Sequence, residues 1–567
     1  MPRYRVISLE ILLVISVCAG CSSTVIRSQD PEPEVVAQDQ RIRVVREVAR
    51  VWGFRPITIE GIGLVSQLDD SGSDPPASPQ RDILLGDMQR RNVAGPNAIL
   101  ASPTTSLVLV RAQLPPGIQK GDRLDIEVMT PSRSETTSLR NGWLMQTRLQ
   151  EMAVLGNRLR QGSLMAQADG AVVVNSLLES ESDARSETKG RILGGGVSGI
   201  SRTLGLVLTS EHHSVRKSSM VGKAINARFH TYDRGTKRGV ATPKRDNFIE
   251  LVVHQRYRNN LMRYARVVQA IPVNETPHEL MDRLAELSVK LQQPHTAVSA
   301  AVDLEAIGPE ALPTLRKGLS SPQPIVRFAS AEALAYLNEE EAVAYLTESA
   351  RNEPAFRWHA FAALSSMTDS EAHTGLAELL HEPSDETRYG AFDALKKFNP
   401  RDPLVRGELV GDAVSLHKVA SQTEPLIHVR RTDRPEIVFF GNIGALQTPA
   451  AVFAGKQILV KSEDANRLKV TRFAVGDADH TEYCANDVYA MVRTIVMVGG
   501  SYTDVVAAIG DAKQKGILGS RVKFDALPVP GRDYQLEEEP EGDFDGLDDG
   551  EILDESDADI GELAPAA

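Results

Sequence analysis

Val326-Arg327-Phe328-Ala329-Ser330-Ala331-Glu332-Ala333-Leu334, Phe356-Arg357-Trp358-His359-Ala360-Phe361-Ala362-Ala363-Leu364 and Thr387-Arg388-Tyr389-Gly390-Ala391-Phe392-Asp393-Ala394-Leu395 are three versions of one stretch, with their arginines 30 and 31 residues apart. Each follows another apolar segment, as in Ala342-Val343-Ala344-Tyr345-Leu346 and Leu376-Ala377-Glu378-Leu379-Leu380. A single helix pair cannot bury its apolar face alone. A repeat of this kind therefore predicts helix pairs stacked as an α-solenoid between about Thr276 and Pro400. The recurring arginine reads as a structural residue of the helix-pair interface. Phe328, Trp358 and Tyr389 beside it read as core, and alanine at Trp358 would then cost about 3–5 kcal/mol.

On both sides of the repeats the apolar pattern is that of strands. From Arg41 to about Val273 there are short runs such as Leu107-Val108-Leu109-Val110, alternating Leu124-Asp125-Ile126-Glu127-Val128 and Leu204/Leu206/Leu208, separated by Pro115-Pro116-Gly117 and Asn141-Gly142. One helix, about Ser214 to Ala227, interrupts them. Strands return after Pro435 with Ile437-Val438-Phe439-Phe440 and Gln457-Ile458-Leu459-Val460, and a helix from about Thr503 to Lys515 stops at Gly516. The fold class expected is α+β: a mainly β part with few helices, interrupted by an α-solenoid. The organisation expected is 1–20 signal peptide, 21–40 tether, 41–275 β-rich region, 276–405 solenoid, 406–530 C-terminal region and 531–567 acidic disordered tail.

The N-terminus carries Arg3 and Arg5, an apolar run from Ile11 to Val17 and small residues up to Cys21, the pattern of a secretory signal peptide. That run is too short to cross a bilayer, which needs about 20 apolar residues. Val17-Cys18-Ala19-Gly20-Cys21 resembles a bacterial lipobox, which implies a lipidated Cys21, and Ser22 after it favours an outer membrane. Stable anchoring follows from multiple acyl chains at about 0.8 kcal/mol per buried CH₂. Cys484 is then alone, so no intramolecular disulfide can form, and it is expected to pack as a small apolar residue.

With 567 residues, 42% apolar and 25% charged, the chain can bury several cores. Its formal net charge of −13 is concentrated at the end, where Glu537 to Glu562 contain fourteen Asp or Glu and no Lys or Arg. The remainder sums to about +1, which gives nucleic-acid binding no support.

The chemical motifs fail on their spacing. Gly194-Gly195-Gly196-Val197-Ser198-Gly199 satisfies G-x-G-x-x-G but lies among hairpin strands instead of opening a helix in a βαβ unit, so it is expected to be a flexible or tight loop. Asp543-Phe544-Asp545-Gly546-Leu547-Asp548 places Leu547 and Asp548 where a calcium loop needs a ligand and a glycine. His212-His213 are adjacent and cannot share the helix face of a zinc pair. No Ser/His/Asp order, G-x-S-x-G or phosphate-binding loop occurs, so no catalytic residue, cofactor or metal ligand is assigned and an enzyme is not expected.

Several stretches in a fixed order resemble the bacterial flagellar P-ring family. They are Arg41-Ile42-Arg43 and Gly61-Ile62-Gly63-Leu64-Val65; Leu114-Pro115-Pro116-Gly117 and Gly121-Asp122-Arg123-Leu124-Asp125-Ile126; Ser138-Leu139-Arg140-Asn141-Gly142; Met165-Ala166-Gln167 before Gly170; Gly190-Arg191-Ile192; and Ala224-Ile225-Asn226-Ala227-Arg228-Phe229. Asp504-Val505-Val506-Ala507-Ala508-Ile509 through Lys515-Gly516-Ile517-Leu518 is similar to the family's C-terminal helix and stop. The repeats themselves, though short, resemble HEAT units.

The resemblance implies a closed ring of copies of this chain around the flagellar rod, in the periplasm at the level of peptidoglycan. It implies as partners the rod, an L-ring subunit, peptidoglycan and a periplasmic assembly chaperone, besides the membrane reached through the lipid. The family ordinarily lacks a lipid anchor, a solenoid and an acidic tail. The solenoid is therefore expected to be an insertion that can be excised between Pro272 and Pro435. The alternative role is a lipid-anchored envelope scaffold that uses its repeats to bind protein.

Overall fold

In the β-rich N-terminal part, closely set glycines let strands cross. Ile57–Ser66 and Trp143–Leu155 are neighbouring strands whose register shifts between Glu60 and Val65. There a Cβ on Gly61 would lie 2.4 Å from the Arg148 carbonyl oxygen, and one on Gly63 2.5 Å from Thr147 Oγ1. The computed structural model describes residues 43–155, 158–174, 186–233, 235–411, 414–473, 478–532 and 534. The expected signal peptide, tether, lipidated Cys21, calcium-like 543–548 segment and acidic run lie outside the described residues.

In chain order this part contains β1 (Ala49–Trp52), β2 (Ile57–Ser66), α1 (Pro79–Arg90), α2 (Pro96–Leu100), β3 (Ser106–Leu114), β4 (Arg123–Met129), β5 (Trp143–Leu155) and β6 (Arg158–Ala171). It continues with β7 (Val173–Val174), β8 (Lys189–Ser198), β9 (Leu204–Leu208), α3 (Val215–Arg228), β10 (His230–Asp233), β11 (Thr236–Gly239), β12 (Ala241–Pro243), β13 (Phe248–Leu251) and α4 (Leu261–Ala270). Strands β4-β3-β2-β5-β6-β8 form an antiparallel sheet in which β8 also pairs with β4, closing it into a barrel. Around the barrel each strand is paired on both sides, while the β5–β6 hairpin runs past it with 152–155 and 158–161 paired only to each other, and Ile59, Val110, Ile126, Leu149, Ala168 and Ile192 fill the interior.

The Gly194–Gly196 run lies inside β8, at this seam, and is not the loop expected. The register shifts between Leu124 and Ile126, so β8 is bulged there. Gly194 has φ +58° and its N–H donates to Asp125 Oδ1 at 2.8 Å; a Cβ on Gly196 would lie 2.6 Å from Ile126. The glycines serve strand closure.

The expectation of one helix in this part is corrected by α1, α2 and α4. Ser78 accepts from the Arg81 N–H and Pro79 occupies the first turn, so α1 begins by capping and not by an apolar stripe. It lays Leu84 and Met88 over Leu64 and Leu107 on the barrel's outside. A separate sheet, β1-β9-β13-β12, packs with α3 and α4.

The repeats contain α5 (Pro277–Leu291), α6 (Pro294–Ile307), α7 (Leu312–Leu319), α8 (Pro324–Leu337), α9 (Ala342–Asn352), α10 (Arg357–Leu364), α11 (Ser370–Leu379) and α12 (Asp385–Phe398). A capping box between Thr276 and Glu279 starts α5, and Pro294 and Pro324 start α6 and α8. Leu304, Leu334, Leu364 and Leu395 recur on the second helix of each pair and are completely buried. Such burial contributes about 1.5–3 kcal/mol per leucine relative to exposure.

Strands resume at Gly407, earlier than expected, because short β14 (Gly407–Val410) and β15 (Val414–Val419) precede the apolar run. Next come β16 (Leu426–Val429), β17 (Glu436–Phe440), β18 (Ala451–Ala454), β19 (Ile458–Ser462), β20 (Arg467–Arg472), β21 (His480–Ala485), α13 (Val488–Met497), α14 (Tyr502–Gln514) and β22 (Arg521–Phe524). The mixed sheet β14-β15-β17-β16-β22 is covered on both faces. Val438 and Phe440 join the core of the repeats, while Ile437 and Phe439 join α13, α14 and the second sheet, β18-β19-β20-β21. Burial on both sides is the reason β17 reads as an unbroken apolar run.

The repeats share their core with the chain on both sides of the Pro272 and Pro435 boundaries. A single apolar cluster runs from Val45 and Tyr264 through the repeats to Val419 and Phe440. The start of the described chain is bound where the repeats leave it, with the Val45 N–H on the Ile271 carbonyl at 3.1 Å and the Val273 N–H on the Arg43 carbonyl at 2.9 Å.

Candidate functional site

The second helices of the pairs present their small and polar positions to the flanking β parts. At the position shared by Glu332, Ala362 and Asp393, two repeats carry an acid and the middle one carries alanine. Both acids meet an arginine from outside the repeats.

Glu332 and Glu305 share Arg263 of α4. Arg263 Nη1 lies 2.5 Å from Glu332 Oε2, while its Nε and Nη2 donate to Glu305 Oε2 at 2.9 and 2.5 Å. The Tyr257 hydroxyl donates to Glu305 Oε1 at 2.6 Å, Tyr257 stacks on Tyr336 at 4.8 Å, and Arg263 lies 4.6 Å over that ring. Burial pushes the Glu305 carboxyl up, more strongly than Arg263 draws it down. Burial also raises Glu332, but Arg263 and His359 outweigh it and leave this carboxyl below its ordinary range. Arg46 adds a fork onto Asp303 at 2.7 and 3.0 Å, and Arg228 and Arg256 reach the carbonyls of Glu305 and Tyr336.

At the other end Asp393 lies 3.5 Å from Arg430 and 3.6 Å from Arg434. Behind it the fully buried Glu436 accepts from the Tyr389 hydroxyl at 2.8 Å and Arg434 Nε at 3.0 Å, and contacts Lys396 and His417. Burial alone would raise the Glu436 carboxyl; His417, Arg434 and Lys396 hold it far below. His428 stacks on Tyr389 at 3.7 Å and its Nε2 accepts the Ala526 N–H at 3.0 Å, and burial lowers it to about 3.

Between these clamps the middle repeat leaves a cleft of about 180 Å³ lined by Asn259, Trp358, Ala362, Ser365, Lys397 and Pro528, among others. Trp358 is only half-buried and lines this cleft, which corrects its assignment to the core beside buried Phe328 and Tyr389. Ala362 leaves the space that an acid fills on either side. The segment after β22 crosses the repeats: Arg532 forks onto Glu386 at 2.8 and 2.7 Å, and Tyr534 stacks on Phe356 at 4.7 Å. Arg532 and Tyr534, inside the stretch expected to be a disordered tail, are thus packed.

The recurring arginines are structural. Arg327 donates to the Ser321 and Pro322 carbonyls, Arg357 to the Ala350 carbonyl at the end of α9 at 2.9 Å, and Arg388 to the Glu424 carbonyl at 2.8 Å. At Ala350 the cation satisfies a carbonyl that the end of α9 leaves open. His213 bonds the Leu208 carbonyl and His212 meets Lys217, so the two rings do not converge. Among the described residues no group of three or more His, Cys, Asp or Glu could hold a metal ion, and no helix is long and apolar enough to cross a membrane. Half-buried Cys484 lies beside Thr494, and burial raises its thiol.

Arg263, Glu305, Arg430 and Glu436 were not singled out from sequence. The available signal was Glu332 and Asp393, charges standing on otherwise apolar helix faces.

The chain is 25% identical over 240 residues to the flagellar P-ring protein of Thermotoga maritima, covering 40% of this chain and 66% of that one. The flagellar P-ring protein of Albidiferax ferrireducens is 31% identical over 199 residues, 33% of this chain and 50% of the relative. That of Escherichia coli O1:K1 / APEC is 26% identical over 280 residues, 48% and 70%. The chain spans half to two thirds of the length of the first two. Residues 44–281 match the flagellar P-ring protein family and residues 282–356 match HEAT repeats, so one chain joins a segment similar to P-ring proteins to one similar to helical repeats.

Proposed function

We propose that this chain is a structural, non-enzymatic subunit of a flagellar P-ring-like assembly that encircles the rod in the periplasm and supports rotation and motility. The observation that carries the reading is the match of residues 44–281 to the P-ring family, over the part that closes into a barrel with its glycines at strand crossings. A closed barrel suits a ring that must present a smooth wall to a turning rod. Cys21 anchors the chain to the outer membrane by lipid. The functional units follow the boundaries 1–20, 21–40, 41–275, 276–405, 406–530 and 531–567, with the solenoid as a family-atypical insert. Copies of the chain, the rod, an L-ring subunit, peptidoglycan and an assembly chaperone are its partners.

The repeats serve as a docking element on the outer side of the ring. The Trp358 cleft supports this, because a half-buried indole beside Asn259 and Lys397 is the type of surface that anchors a partner side chain. Basal bodies purified from cells with and without the gene test the proposal. Loss of the ring and of swimming is expected, and intact rings with normal motility would refute it.

A further inference from the structure

The outer face of β18-β19-β20-β21 carries an uncompensated pair of cations. Val452, Val460, Leu468 and Val470 point inward and are buried, which turns the alternate residues to solvent. In register across the sheet these form the row Ala451, Lys461, Lys469, Tyr483. Lys461 and Lys469 are thus direct cross-strand neighbours, an arrangement in which like charges destabilise a sheet. Among the described residues neither lysine has an ion pair. Around them Arg467 lies 4.4 Å over the ring of Tyr483, and Lys515 lies 4.9 Å from the ring of Phe453. Phe453 is 54% and Tyr483 44% exposed. Acids at the rim are already engaged, Glu463 with Arg467 at 3.6 Å and Asp511 with Lys515 at 2.6 Å; Asp464 lines the shallow depression beside Tyr483.

We propose that this basic, aromatic sheet face is the docking site of the chain's own acidic segment 537–562. Fourteen carboxylates without a Lys or Arg supply the charge that the lysine pair lacks. The aromatic rings accept the apolar residues interspersed among them, Phe544, Leu547, Ile552 and Leu553. The tether is long: Glu562 lies twenty-eight residues beyond Tyr534, so an extended chain spans up to about 92 Å from that anchor. Tethering raises the local concentration of the segment to the millimolar range, which favours the same chain over a neighbour.

Zero-length carbodiimide crosslinking of the full chain, with peptides identified by mass spectrometry, tests this on a mixture of isotopically light and heavy copies. Lys461 or Lys469 is expected to join a carboxylate between 537 and 562 within one isotopic form, with the yield falling about tenfold at high salt. Absence of these crosslinks overturns the proposal, as does their occurrence between light and heavy chains, which would make the occupant a second copy.

Discussion

A single guanidinium, that of Arg263, pairs with two buried carboxylates, and this sets what a substitution there does. Removing one partner of a buried ion pair leaves an uncompensated charge, which costs about 3–5 kcal/mol. Arg263→Ala is therefore expected to lower the unfolding free energy obtained from urea titration by that amount, whereas Glu332→Gln, which leaves Arg263 its fork on Glu305, is milder. An Arg263→Ala protein within 1 kcal/mol of the parent would show that the clamp contributes little. His428 sets a pH dependence. Its folded value of about 3 lies below its ordinary 6.5, so between these values the unfolded chain binds the proton and the folded one does not. Stability then rises with pH through this window and is lost as pH falls from 6.5. The slope is at most about 1.4 kcal/mol per pH unit for one proton. Denaturant titrations from pH 7 to 4.5 should show a steeper fall for the parent than for His428→Gln, whose side-chain oxygen can still accept the Ala526 N–H. Equal slopes would contradict the assignment.

At the scale of elements, the repeats were legible because their arginines and leucines recur. The first pair was blurred: Leu304 stands thirty residues before Leu334, yet Ala297 replaces the arginine. Helix α1 was missed because its start is marked by Ser78 and Pro79 while its apolar residues form no stripe. The two acid–arginine clamps were hidden for a different reason. Arg263 and Glu332, or Arg430 and Asp393, are brought together only by tertiary packing, and nothing local to Arg263 announces a partner 42 or 69 residues away. Excision follows the same physics. Joining Pro272 to Pro435 uncovers Tyr257, Tyr264 and Val268 on one side and Val438 and Phe440 on the other. Limited proteolysis is expected to find that product aggregated or fully digested, and a soluble resistant core would show that the shared cluster is dispensable.

For the whole molecule, the repeats are a bridge: α4 and the small sheet lie against their first pairs, the C-terminal sheet lies against α12, and the chain after β22 returns over α8, α10 and α12. That return was unreadable from a composition that turns acidic soon afterwards. The strand pattern, by contrast, already pointed to the β-rich parts and, through the order of their glycine motifs, to the P-ring family. The central claim, that this chain builds a ring around the rod and carries its repeats on the outside, is tested most directly by cryo-electron microscopy of purified basal bodies. The account predicts a closed ring of this chain at the level of peptidoglycan, with helical-repeat density pointing away from the rod; repeat density between ring and rod, or basal bodies without this chain, would contradict it.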